Sequence, residues 1–344
     1  MHSDIDSVIH TLKVQRTLPD GEMLSLLEGA CAKELREEAE SVAAAQFGRG
    51  VWLRGLIEWS NVCRRDCLYC GIRRSNAGVE RYTLSREEIL SSCERAYGLG
   101  LRTFVLQGGE NPQAARGLVP VVAEIRSCWP DTAITLGLGE LPFDIYAALR
   151  KAGADRFLLR HETASEAHYA RLHPAGMTLR SRLECLRELR RLGFQVGMGM
   201  MVGSPWQTPR DLLADIRLLE EYRPEMIGIG PFIPHPDTPL GSFPAGSAEL
   251  TLRLYSILRL ILPDALIPST TALSTIMPGG RKAGILAGAN VIMPNFTPLP
   301  RREAYALYKG KASTDGAEQL LDIQKELASI GYHIAPGRGD FITH

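Results

Sequence analysis

Residues 51–71 read VWLRGLIEWS-NVCRRDCLYC-G, ten strand-like residues running directly into three cysteines, Cys63, Cys67 and Cys70, spaced C-x3-C-x2-C. A strand that ends in a loop carrying chemistry is what the opening unit of a βα array looks like. Thiolates are soft ligands suited to zinc or iron–sulfur, and a short loop can wrap three of them around one cuboidal cluster. An ordinary ferredoxin run brings a fourth cysteine and a structural zinc site wants four closed ligands. No C-x2-C or H-x3-H pair accompanies the motif. The expected group is a 4Fe–4S cluster with one iron left without a protein ligand. A fourth ligand from Cys31, Cys93, Cys128 or Cys185, or a histidine completing a zinc site, is the alternative. Cys93 and Cys185 lie inside helical-period patterns and read as core.

Outward from this stretch, short apolar runs alternate with helical patterns, which implies a parallel sheet with crossover helices. Eight strands are expected at 51–60, 103–107, 133–137, 156–160, 195–202, 226–230, 266–270 and 290–293. Helices are expected at 85–99, 113–127, 142–152, 178–192, 209–222, 247–261, 281–287 and 316–330. Several close on a glycine stop, as in GLGLR, KAGAD, RLGFQ and LAGAN. No G-x-G-x-x-G phosphate loop follows Ser60, so the α/β class resolves to a (β/α)8 TIM-type barrel over an open doubly wound sheet. The expected organisation is a helical extension over 1–50 packed on the barrel, the barrel over 51–310, and a C-terminal helix and tail over 311–344. Polar residues at 107–110, 160–162, 235–238, 270–271 and 295–297 all close or follow a strand, where a barrel keeps its chemistry.

The 344 residues are 45% hydrophobic, enough for a sizeable core. Lysine plus arginine equals aspartate plus glutamate, 39 each, so no global field favours nucleic acid or an anionic membrane. The N-terminus lacks a basic start and apolar h-region, and no run approaches the roughly 20 apolar residues that span a bilayer. A cytoplasmic location is expected. Seven cysteines, with three clustered, argue for reduced thiols rather than a disulfide framework.

Other segments each admit a bland reading. In LQGGEN, Gln107, Gly108, Gly109 and Glu110 form either an ordinary strand-to-helix turn or a close backbone approach to a ligand. Arg160 and Glu162 in RHET, with Arg182 in the next helix, are either a structural ion pair or a cation and an acceptor for a zwitterionic, ribose-bearing cofactor. His161 between them should point away from the mouth, because side chains alternate along a strand. Pro231, Phe232 and Ile233 in GIGPFIPHPDTPL belong to a rigid connector or to an apolar shelf for an adenine ring. Thr270 and Thr271, with Arg54 in the first strand, are plain strand chemistry or an anion or carboxylate site deep in the barrel.

C-x3-C-x-Φ-C, with Tyr69 as the aromatic, resembles the radical S-adenosylmethionine superfamily. That resemblance implies a barrel whose open iron takes the amine and carboxylate of S-adenosylmethionine, with reductive cleavage to methionine and a 5′-deoxyadenosyl radical. It also aligns Gly108, Gly109 and Glu110 with the superfamily's GGE segment at the cofactor's amino group. The segments IEWSNVCRRDCLYCGIRRSN, RTFVLQGGENP, GADRFLLRHETA, GIGPFIPHPDTPL, PSTTALSTIMPGG and GANVIMPNFTP together resemble the HydE family of FeFe-hydrogenase maturases. This implies radical attack on the sulfur of an iron–CO–cyanide–cysteine precursor during assembly of the di-iron subcluster of the hydrogenase H-cluster. It implies cofactor contacts at Tyr69, Arg160, Glu162 and Arg182, and cavity residues Arg54, Gln107, Thr135, Thr270, Thr271, Met293, Tyr305 and Tyr308. Partners implied are a reductant such as ferredoxin or flavodoxin and the other hydrogenase maturases. Some members carry C-terminal cysteines for a second cluster; no cysteine follows Cys185 here, so a single cluster is expected.

A methylornithine-synthase-like mutase acting on an amino acid, and a non-catalytic iron–sulfur scaffold or carrier, are the rival readings. A biotin-synthase-like reaction is disfavoured, because TAITLGLG and QVGMGMMVG offer no inward cysteine for a second cluster. With one cluster site, replacing any of Cys63, Cys67 or Cys70 by alanine is expected to abolish activity completely. Anaerobic assay for 5′-deoxyadenosine checks this, and partial activity in any of the three variants would contradict it.

Overall fold

The computed structural model describes residues 2–310 and 316–342. Its strands are β1 (Gly50–Leu53), β2 (Gly55–Ser60), β3 (Thr103–Gly108), β4 (Ala133–Gly137), β5 (Arg156–Leu158), β6 (Gln195–Met198), β7 (Met201–Val202), β8 (Met226–Ile227), β9 (Gly230–Pro231), β10 (Val291–Ile292) and β11 (His333–Ile334). Among the described residues these strands pair with one another in parallel: β2-β3-β4-β5-β6-β8 form one sheet, and β1 pairs with β10 and β11. Bridges Met226↔Leu266, Pro268↔Val291 and Leu56↔Asn295 carry the ring round to its start, so the (β/α)8 barrel closes.

The long strands expected from sequence are shorter or split, each for a local reason. Run 51–60 breaks at Arg54, where the chain passes from pairing with β10 and β11 to pairing with β3. Run 195–202 breaks at Gly199, whose φ is +154° and where a Cβ would stand 2.0 Å from the Gly228 carbonyl. Only glycine permits that approach, and the strands then re-pair as β7 with β9. Run 266–270 survives only as bridges, since Pro268 has no N–H to give the ladder. Thr270 does not end a strand: it caps the helix Thr271–Ile276, its hydroxyl accepting from Leu273 N.

The expected helices are present within a residue or two. Capping boxes start two of them, Ser85 with Glu88 and Thr208 with Asp211. Three N-terminal helices, His2–Gln15, Asp20–Glu28 and Ala32–Phe47, lie on the barrel's flank against helices Pro209–Tyr222 and Ala248–Ile261. Arg217 donates to Leu18 O and Asp20, and Arg253 to Leu27 O.

The barrel's floor is closed by the C-terminal tail. Arg156, fully buried on β5, donates to Arg338 O at 3.0 Å, Gly339 O at 3.0 Å and Asp340 Oδ1 at 2.6 Å, and Thr103 Oγ1 donates to Arg338 O at 2.8 Å. A hydrogen bond to a charged group is worth about 1.5–3 kcal/mol, and Asp340, 39% exposed, keeps Arg338 as a partner when Arg156 is lost. Arg156→Ala is therefore expected to lower unfolding stability by about 1.5–3 kcal/mol and to open the bonds past Arg338 to limited proteolysis. Urea titration and mass spectrometry of the clipped tail report the two effects.

Candidate active site

The cysteine loop rests on the turn after β3. A Cβ at Gly109 would meet Val62 O at 2.6 Å and the Cys63 Cβ at 2.8 Å, so only glycine lets the two segments stack. Arg64 N donates to Glu110 O at 2.8 Å, and the Cys63 sulfur accepts from Glu110 N and Arg65 N at 3.3 and 3.4 Å. The buried Glu110 carboxylate accepts from Arg64 Nε at 2.9 Å, Arg65 Nε at 2.5 Å and Glu140 N at 2.8 Å. Glu140 in turn takes Arg65 Nη2 at 3.3 Å and Arg182 Nε at 2.9 Å. A charge-assisted relay thus ties the cysteine loop to the helix Leu179–Arg191.

Burial raises the pKa of all three motif thiols, Cys70 to about 12, and the neighbouring sulfurs add to the rise at Cys67 and Cys70. Among the described residues, no three His, Cys, Asp or Glu side chains converge on a point as ligands of a single ion do. Three half-buried sulfurs on one short loop, one already bonded to two backbone N–H groups, fit a cluster, which deprotonates its thiols outright.

Cys63 and Cys70 open onto a cavity of about 300 Å³ at the C-terminal ends of the strands. Of the residues singled out from sequence, Gln107, Gly108, Gly109, Glu110, Arg160, Glu162, Arg182, Thr270, Met293 and Tyr305 line it as well. Arg160 Nη2 donates to Glu162 Oε2 at 2.8 Å, and Gln107 Nε2 to the Tyr305 hydroxyl at 3.4 Å. Arg182 Nη1 donates to Arg160 O at 2.9 Å. Burial works against the Arg182 charge, but Tyr169, Glu140, Tyr69 and Glu162 outweigh it, and its pKa is raised.

The remaining candidates lie elsewhere. Cys67 packs beside Tyr169, Met177 and Leu179. Tyr69 joins Phe232, Leu172 and Leu240 in a small apolar cluster, so the Phe232 ring is spent there; Ile233 is buried beside it. Thr271 lines a second cavity of about 320 Å³ with Ser274, Thr275 and Arg281, and Met293 lines both cavities. Tyr308 bonds Thr275, and burial pushes its hydroxyl up to about 12. Thr135 lies two residues before Gly137 on β4, which lines the Cys63 cavity, and Arg54 two residues before Leu56 on β2, which lines the second cavity. Arg54 Nη1 contacts Met226 Sδ at 3.2 Å, while Arg54 Nε, Arg54 Nη2 and Thr135 Oγ1 have no hydrogen-bond partner among the described residues. Burial first, then Arg156, holds the Arg54 pKa well below its usual value. His161 points away from the mouth as alternation requires, its Nε2 3.1 Å from Asp215 Oδ1.

Sequence reading missed Glu140 and Glu58. Glu140 follows β4 as Glu110 follows β3, which was the available signal. Glu58 is a fully buried acid within β2, its carboxylate accepting from Asn295 Nδ2 at 3.0 Å.

His173 stacks on Tyr169 with centroids 3.9 Å apart, its Nδ1 2.9 Å from Tyr169 O and its Nε2 3.4 Å from the Tyr69 hydroxyl. The carbonyl fixes the proton on Nδ1, so Nε2 accepts from Tyr69. Burial pulls the His173 pKa from 6.5 down to about 3. The folded state then binds fewer protons than the unfolded chain, and the stabilisation from neutral His173, complete above 6.5, is lost as pH falls towards 3. Urea stability is expected to fall by about 1 kcal/mol between pH 7.5 and 5.5 from this residue, and His173→Gln is expected to flatten that slope. An unchanged slope in the variant would assign the loss to other groups.

Comparison with known proteins agrees with this geometry. The sequence profile of the Radical SAM superfamily matches residues 57–219. The chain belongs to the radical S-adenosylmethionine superfamily and is a radical SAM enzyme. It is 45% identical over 291 residues to the FeFe hydrogenase maturase subunit HydE of Thermotoga maritima, covering 84% of this chain and 83% of that one. A 3-methylornithine synthase of Methanosarcina acetivorans is 28% identical over 328 residues, 93% of this chain and 91% of the relative. Among solved structures, methylornithine synthase (PylB) superposes with a TM-score of 0.82 at 24% identity, covering 95% of this chain and 97% of that one. HydG, a maturase of the FeFe-hydrogenase, superposes with a TM-score of 0.80 at 21% identity, covering 96% and 76%. No helix among the described residues is long and apolar enough to cross a membrane.

Proposed function

We propose that this enzyme acts in FeFe-hydrogenase maturation, on the sulfur of an iron–CO–cyanide–cysteine precursor in the route to the H-cluster di-iron subcluster. The observation that carries the radical reading is the meeting of Cys63 and Cys70 with Arg160, Glu162 and Thr270 in one cavity at the barrel's mouth. The 45% identity to HydE supports the finer assignment.

Cys63, Cys67 and Cys70 hold one 4Fe–4S cluster, with S-adenosylmethionine beside it. When bound, the pair supplies one-electron cleavage of a sulfonium C–S bond to a 5′-deoxyadenosyl radical. Gly108 and Gly109 bring backbone close to the cofactor's amino group. Arg160 and Arg182 offer cations for its carboxylate, Glu162 accepts from amine or ribose hydroxyl, and Tyr69 and Ile233 flank the adenine side. The walls formed by Gln107, Met293 and Tyr305 exclude water from the reacting centre. The Nε and Nη2 N–H groups of Arg54 and the hydroxyl of Thr135, without partners among the described residues, suit an anionic part of the substrate, with Thr270 on the Cys63 cavity and Thr271 and Tyr308 beside the second one. An electron donor such as ferredoxin or flavodoxin and the partner maturases complete the system, and a cytoplasmic setting suits its reduced thiols.

Anaerobic, cluster-reconstituted protein is expected to form 5′-deoxyadenosine from S-adenosylmethionine and dithionite, and extracts lacking the protein are expected to yield inactive FeFe-hydrogenase. Nucleoside formation alongside normal hydrogenase activity in those extracts would sink the maturation reading. Absence of the nucleoside from fully loaded protein would sink the catalytic one.

A further inference from the structure

Glu162 is one of the few non-glycine residues with positive φ, +68°, and it stands on the cavity wall. A side chain in this left-handed region is strained and persists only where its surroundings over-determine it. Its own backbone supplies part of the restraint: Glu162 N donates to Gly199 O at 3.0 Å, and Met201 N donates to Glu162 O at 3.1 Å.

The rest comes from behind the barrel wall. His161 and Asp215, the latter on the helix Pro209–Tyr222, are both fully buried. Gly199 N–H donates to His161 Nδ1 at 3.3 Å, which leaves the imidazole proton on Nε2, facing Asp215 Oδ1 at 3.1 Å. The same Oδ1 accepts from Ala164 N at 2.5 Å. One carboxylate oxygen therefore grips the chain on both sides of Glu162, by a side chain before it and a backbone N–H after it. An apolar pair would pack this helix on the barrel without burying a carboxylate, so packing alone does not account for the choice of residues.

We infer that Asp215 and His161 are positioning residues that hold Glu162 in its left-handed conformation and so aim its carboxylate at the cofactor. This rests on the reading of Glu162 as a contact to S-adenosylmethionine. Neither Asp215 nor His161 lines the cavity.

The test is S-adenosylmethionine binding to cluster-loaded protein, read as a dissociation constant and as the cofactor-induced change in the EPR spectrum of the reduced cluster. Glu162→Gln is expected to weaken binding about tenfold, the scale of one hydrogen bond to a charged group. Asp215→Ala is expected to do the same with an unaltered cofactor-free spectrum, and the double variant to lose no more than either single one. Asp215→Asn, whose amide oxygen still accepts from both N–H groups, is expected to stay within about twofold of the parent. Should Asp215→Ala not fold, His161→Ala removes one arm of the same grip and carries the same expectation. Unchanged binding in Glu162→Gln would overturn the cofactor role of Glu162 and the inference with it. Weakened binding in Glu162→Gln, with Asp215→Ala unchanged or its loss additive in the double variant, would overturn the positioning role alone.

Discussion

Two loops that carry the chemistry of this barrel are held together through Glu110, a carboxylate only 5% exposed. Taking such a group out of water costs several kcal/mol unless partners replace the water, and here Arg64, Arg65 and Glu140 N do so. Two of the donors come from the cysteine loop and one from the loop after β4, so the carboxylate is satisfied only while all three segments keep their places. Arg65, Glu140 and Arg182 pass the constraint on to the helix behind β5. Cys63, bonded by Glu110 N, and Arg160, whose carbonyl accepts from Arg182, are thereby held in one frame. A rigid cysteine loop follows from buried electrostatics in the protein itself.

The elements that could be read from sequence were those whose signals are local. Helices announced themselves through caps such as Ser85 with Glu88 and through glycine stops, and the strand Ala133–Gly137 through a short, mostly apolar run between turn residues. What escaped depends on neighbours distant in sequence. Arg54 interrupts its strand because β11, nearly three hundred residues away, takes the place beside β1 that β3 takes beside β2. Thr270 looked like a strand residue because its helix is only six residues long and begins just after Pro268.

The candidate site was legible to the same degree. The cysteines, LQGGEN and RHET lie at strand ends, where a barrel gathers them whatever the details of packing. Asp215 carries no such signal: it is one acid among 39, inside a helix, and only the fold turns it inward. Likeness of backbone does not distinguish these roles either, since PylB and HydG share the architecture at 24% and 21% identity. The fold is common property, and side chains decide what it works on.

The tail beneath the barrel gives the chain a direction in time. Arg156 and Thr103 find their partners at 338–340, and β1 finds β11 at 333–334. Synthesis runs from the N-terminus, so the cysteine loop and the walls above it are made long before the segment that stops the bottom. The underside of the nascent barrel stays open until residues 333–340 have been made, and contacts spanning this much sequence are the slow ones to form. Closure of the barrel's underside thus waits on β11 and the loop that follows.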